Sequence, residues 1–143
     1  MSVLAKQLAG LWLLLMVLMI PNALAQEEEG EEGAVVQRAI YIPIKPAFVV
    51  NYGGKGRLRY LKAELSVRVA GSLAANSIRH HMPYIRNNLI LLFSRQMEEN
   101  LDNQEGKELL RQEALLEITN ILVEEEGESS VVDLYFNQLV IQR

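Results

Sequence analysis

The stretch NYGGKGRLRYLKAELSVRV, Asn51 to Val69, sets three glycines and five basic side chains close together and then alternates strictly between polar and apolar residues. Leu61, Ala63, Leu65, Val67 and Val69 share one parity, and Tyr60, Lys62, Glu64, Ser66 and Arg68 share the other. That is the period of a strand with one face in a core and the other wet or paired. Gly53, Gly54 and Gly56 can supply the positive φ angles of a tight reversal, so the segment predicts a β-hairpin with Lys55, Arg57 and Arg59 near its tip. A nucleotide cradle does not fit. A phosphate-binding loop needs Gly-Lys-Ser/Thr opening a helix, and here a strand follows the glycines.

The partner strand lies upstream. IYIPIKPAFVVN, Ile40 to Asn51, is rich in branched and aromatic residues, but Pro43 and Pro46 each remove a ladder donor. The stretch is therefore expected as an edge or irregular strand, regular from Ala47 to Asn51. Downstream, helical patterns are expected around Leu73 to His81 and again from Pro83, a favoured first-turn residue. Ile85, Leu89, Leu92, Phe93 and Met97 line one face of the second helix. A third helix is predicted from Asp102, with Glu105 three residues on as a capping box, and Leu110, Ala114, Ile118, Ile121 and Leu122 as its buried stripe before Gly127 ends it. In the final strand Val132, Leu134 and Phe136 share one parity, and Leu139 and Ile141 the other. A bulge near Asn137 to Gln138, or burial on both sides, reconciles the two phases. The order β-β-α-α-α-β reads as one α+β domain over residues 40–143.

The first 25 residues carry one lysine, an apolar run from Leu8 to Ile20, Pro21, and Ala23-Leu24-Ala25 ahead of Gln26. This pattern predicts a signal peptide cleaved after Ala25, or a short membrane anchor if it is retained. Both place the remainder outside the cytoplasm. Residues 26–39 open with QEEEGEEG, which cannot bury apolar area and reads as an acidic flexible linker. The chain has no cysteine, so thiolate chemistry, zinc ribbons and disulfides are excluded.

Charge is divided along the chain. Residues 34–97 hold ten Lys or Arg and the single acid Glu64, whereas residues 98–143 hold three Lys or Arg and twelve acids. If the halves map to different surfaces, each molecule is an electrical dipole suited to head-to-tail association; if they pair within the fold, they are ordinary surface ion pairs. Lys55, Arg57, Arg59 and Lys62 form a candidate interaction patch, and nucleic acid is not the expected partner of an exported acidic protein. His80 and His81 are adjacent, with no third ligand at metal spacing, and read as helix-terminal or surface histidines. No nucleophile elbow, zinc-protease helix or placeable carboxylate pair is present, so no enzyme, cofactor or metal is expected.

Four stretches, PAFVVNYGGKGRLRYLKAELSVRV, HMPYIRNNLILLFSRQ, NQEGKELLRQEALLEITNILV and VVDLYFNQLVIQ, resemble in order and spacing the flagellar basal-body-associated FliL family. The most telling pieces are Pro-x-Ile-Arg before the second helix, Glu-Gly-Lys opening the third, and the closing Phe-x-x-x-Val-Ile-Gln. The resemblance implies a periplasmic domain similar to the stomatin or SPFH type. Such a domain would assemble as a homo-oligomeric ring beside the stator units of the flagellar basal body and support rotation, torque, swarming and chemotactic motility, with no catalytic residues carried over. One departure is that members of this family typically have a basic cytoplasmic tail and a true membrane-spanning helix, whereas the apolar run here is short and ends in Ala-Leu-Ala. The alternative of a different class is a soluble periplasmic scaffold or binding protein that takes lipid head groups or cell-wall polymer on the basic patch.

Overall fold

The computed structural model describes residues 39–56 and 58–142. The expected signal peptide or anchor, and all of the acidic linker but its last residue, lie outside them.

The hairpin is formed by β1 (Ile40–Tyr52) and β2 (Arg59–Val69), and β3 (Val131–Gln142) adds antiparallel to β2, giving a three-stranded sheet in the order β1-β2-β3. Between β2 and β3 run α1 (Ser72–His80), α2 (Met82–Ser94), the single-turn α3 (Glu98–Leu101) and α4 (Gln104–Glu126). This is the α+β class read from the sequence, with one more helix than expected.

β2 is central, and its alternation sets the core. Leu61, Ala63, Leu65, Val67 and Val69 are all buried under the helices. Helix α2 contributes Ile85, Leu89, Leu92 and Phe93 to the same layer, and α4 contributes Leu110, Ala114, Ile118, Ile121 and Leu122. Phe48 of β1 meets Phe93 edge-on at 5.3 Å between centroids, and Phe93 lies 6.1 Å from Phe136 of β3, so one aromatic line ties both edge strands to α2. Such contacts add to the area they bury.

β1 starts earlier than expected. It pairs from Ile40↔Val69 to Ile44↔Leu65, breaks over Lys45-Pro46-Ala47, and resumes at Phe48↔Ala63. The prolines are tolerated because β1 is an edge strand and Pro46, in a cis peptide, falls in the break. On the other side of β2 the expected bulge is present: Glu64 pairs with Gln138 and Leu65 with Phe136, leaving Asn137 as the extra residue. Phe136, Leu139 and Ile141 thus reach the same side despite their different parity. Both neighbours of β2 break register beside Glu64, where extra residues bend and twist a sheet.

A second irregularity corrects the reading of Val132. Arg68 pairs with Asp133 and Val69 with Val131, so Val132 is the extra residue and is exposed, while Val131 packs on the core.

Two helix boundaries also differ. Met97 is outside α2 and exposed, because the chain leaves helical geometry there before α3. The N-cap of α4 is Asn103 rather than Asp102, and its Oδ1 accepts from Gly106 N–H at 2.7 Å. Asn and Asp are equivalent caps, and α3 takes Asp102 as its own C-cap. Gly127 ends α4 with φ 83°, its N–H donating to the Val123 carbonyl, as the sequence implied.

Candidate interaction surfaces

The hairpin loop is anchored at its base. Gly53 N–H donates to the Gln96 carbonyl at 3.0 Å, joining the turn to the end of α2, and its φ of 88° lets the chain reverse there. Arg59 folds back over Gly53 and forms a 2.7 Å ion pair with Glu98 of α3. Lys55 is exposed at the tip, and Arg57 lies outside the described residues.

Lys62 is elsewhere. Three residues from Arg59 along a strand, it emerges on the opposite face of the sheet and pairs there with Glu64 at 3.2 Å. The structure therefore separates Arg59 from Lys62, and Arg59 is engaged by an acid of its own fold. The charges are legible in the sequence, the face each one occupies only in the fold.

The histidines sit at the α1–α2 junction. His80 and His81 meet edge-on at 4.7 Å between centroids, and His81 Nε2 lies 2.7 Å from the Glu126 carboxylate at the end of α4. Among the described residues no three His, Asp or Glu side chains converge as a metal site would require.

Sequence reading missed the hub at Arg111. Its Nε donates to Glu108 at 2.8 Å, and its Nη1 donates to the Asp133 carboxylate and to the Leu134 carbonyl. One guanidinium thereby ties α4 to the edge of β3, the kind of forked contact arginine makes best. The Arg111 guanidinium, followed by the Gln112 amide, holds the Glu108 carboxyl down at about 2. Burial pushes the Asp133 carboxyl up, but the Leu134 N–H, the Tyr135 hydroxyl and Arg111 together hold it below its ordinary value. Its bond to Asp133 in turn raises the Tyr135 hydroxyl. An arginine at a helical position gives no signal of this role; the cue is Asp133, the one charged residue of β3.

Few ion pairs cross the charge division. Among the described residues, Arg59–Glu98 and His81–Glu126 join the basic to the acidic half, while Lys62–Glu64, Arg111–Glu108 and Arg111–Asp133 lie within one half. The acids of α4 are thus left largely facing solvent.

The face of the sheet away from the helices shows Tyr41, Val49, Tyr60, Tyr135 and Val140, with Lys62, Glu64 and Arg68 among them. Tyr41 and Tyr135 approach to 6.0 Å across the strands. Beside α3 and the start of α4 lies a shallow cleft of about 220 Å³, lined by Gln96, Glu99, Asn103, Leu109 and Glu113. These are surfaces for contact, with the chemistry of ion pairs and apolar patches.

Against known proteins, the family described as "Flagellar basal body-associated protein FliL" matches residues 41–142, which takes in all three strands and all four helices. The chain belongs to the FliL family. It is 28% identical over 103 residues to Flagellar protein FliL of Aquifex aeolicus, covering 72% of this chain and 62% of that relative. It is also 28% identical over 109 residues to Flagellar protein FliL of Escherichia coli K12, covering 74% of this chain and 70% of the relative.

The pieces that carry the FliL likeness are joints of the fold. In Pro-x-Ile-Arg, Pro83 sits in the first turn of α2 and Ile85 is fully buried. Arg86 of the same piece reaches the Pro46 carbonyl at 2.6 Å and covers the Phe48 ring at 4.4 Å. Gly106 of Glu-Gly-Lys lies so close to α3 that a Cβ there would be 1.5 Å from the Asn100 carbonyl oxygen. The closing Phe136 to Gln142 segment holds the bulge that turns Phe136 inward.

Proposed function

We propose that this protein is a non-enzymatic accessory of the bacterial flagellar basal body that associates with stator units and supports rotation, torque, swarming and chemotactic motility. The observation that carries the reading is the FliL match over residues 41–142, the whole of the folded domain. Within it, the domain stands on the periplasmic side of the inner membrane, linked through the acidic segment to a leader that is cleaved after Ala25 or kept as an anchor. Its copies assemble in a ring, as domains of the stomatin or SPFH type do. The acids of α4 other than Glu108 and Glu126, and the separate basic residues Lys55, Arg79 and Arg95, support self-association by charge.

The test is a clean deletion with motor torque measured on tethered cells under high load, complemented by the full chain. Loss of torque restored by the complement is expected; unchanged swimming, swarming and high-load torque would reject the role. Sedimentation over a salt series tests the assembly, which should weaken as ionic strength screens exposed charges.

A further inference from the structure

Helix α4 has two apolar faces, and the fold uses one. Gly106, Leu110, Ala114, Ile118, Ile121 and Leu122 are buried against the sheet and α2. Leu109, Leu116 and Val123 are not: they are 53%, 59% and 48% exposed. Their spacing of seven brings each within about 20° of the one before, so they form a nearly straight seam about 21 Å long on the outward side of the helix. Gln112 and Thr119 lie between them. The seam supplies one of the two apolar positions per heptad that a two-helix contact uses, and it is open to solvent.

The flanks decide which partner. Glu105 lies in line with the seam and Glu113 beside it, both exposed, and Arg111, the nearby cation, is taken up by Glu108 and Asp133. Two copies of α4 laid together would therefore oppose acid to acid. Another helix with outward apolar residues seven apart, α2 with Tyr84 and Leu91, carries only Arg95 beside them, since Arg86 is turned to Pro46 and Phe48. An anionic bilayer is repelled by the same glutamates.

We propose that the outward seam of α4 is a docking surface for a basic amphipathic helix of another protein, with apolar residues against Leu109, Leu116 and Val123 and Lys or Arg against the flanking glutamates. The assignment goes beyond the basal-body role and does not depend on it.

The test uses the purified full chain and a dye-labelled synthetic helix of about 21 residues, three heptads with Leu at a and d and Lys at e and g. Binding is read by fluorescence anisotropy at low and at physiological salt. A second peptide carries Glu at e and g. Leu116→Ser probes the seam, and Leu73→Ser, at the 84% exposed leucine of α1, is the matched control. Both changes are at exposed positions, so their thermal unfolding should match that of the unaltered chain.

The expected result is binding of the lysine peptide to the unaltered chain and to Leu73→Ser alike, about tenfold or more weaker binding to Leu116→Ser, and no binding of the glutamate peptide. Absence of lysine-peptide binding, equal binding to Leu116→Ser, or equal binding of the glutamate peptide would overturn the proposal. So would Leu116→Ser abolishing self-association in sedimentation without peptide, because a second copy would then be the occupant.

Discussion

Replacing Gly106 with alanine should destabilise the domain, against the ordinary preference of helices for alanine. The residue is inside α4, where alanine is favoured over glycine by about 1 kcal/mol. Here a Cβ would stand 1.5 Å from the Asn100 carbonyl oxygen and 2.6 Å from its carbon, both backbone atoms that no rotamer change can remove. Restoring ordinary contact requires α3 and the start of α4 to part by about 2 Å. That movement weakens the Asn103 cap on Gly106 N–H, worth about 1 kcal/mol. It also uncovers part of Leu101, which is 1% exposed and contributes about 1.5–3 kcal/mol when fully buried. The net loss should be about 2 kcal/mol, a fall in Tm on the order of 10 °C for a domain of this size. Urea unfolding followed by circular dichroism measures it, with Gly71→Ala as the control. Gly71 is extended, with no atom within 4 Å of an added Cβ, and the poorer N-cap that alanine makes offsets its gain through the unfolded chain, so alanine there should change stability by less than about 1 kcal/mol. A Gly106→Ala variant as stable as Gly71→Ala would refute the close approach of α3 to α4.

Arg111→Ala should cost about 1–3 kcal/mol, because it takes one donor each from Asp133 and from the carbonyl of buried Leu134, and Arg111→Lys should recover only part of the loss in the same unfolding assay. Acid stability should follow Glu108: its folded value of about 2 is below the ordinary 4.5, so its contribution is complete above about pH 4.5 and disappears as the pH falls towards 2. Glu108→Gln should therefore flatten stability against pH in that window and lower it at neutral pH, and a curve parallel to that of the unaltered chain would contradict the pairing. Arg86→Ala should lose about 1–2 kcal/mol through its carbonyl contact and its place over Phe48, with a change in near-ultraviolet dichroism from the Phe48–Phe93 pair.

Much of this fold could be read from the chain, and the parts that could not share a cause. The hairpin and the core face of β2 were legible because a two-residue period reports burial directly. The bulge at Asn137 was legible because it had to reconcile two apolar phases in one strand. Val132 was misread because nothing local distinguishes it from Val131; only the register against Arg68 and Val69 does. The single turn of α3 is too short to show a period, and it is what displaced Met97 from α2 and the cap of α4 from Asp102 to Asn103. Arg59 and Lys62 part for a geometric reason: they are neighbours in sequence, but a strand sends residues three apart to opposite faces. Arg111 and the outward seam of α4 were hidden because an apolar or charged residue in a helix does not say which side it is on until the rest of the fold is in place.

The division of labour along the chain bears on what the FliL likeness carries. Arg86, Gly106 and Phe136 belong to the telling pieces, and each closes a joint: β1 to α2, α3 to α4, β3 to the core. Residues that hold joints are satisfied within the molecule and have little left to offer a partner. What remains unsatisfied is the acid-flanked seam of α4, the uncovered side of the sheet and the lysine at the hairpin tip. A domain held together by these pieces, with its exposed chemistry on the residues between them, can keep its architecture when those exposed residues are altered. In such a molecule, altering a joint should remove every activity together with stability, whereas altering the seam should remove one association and leave the fold as it was.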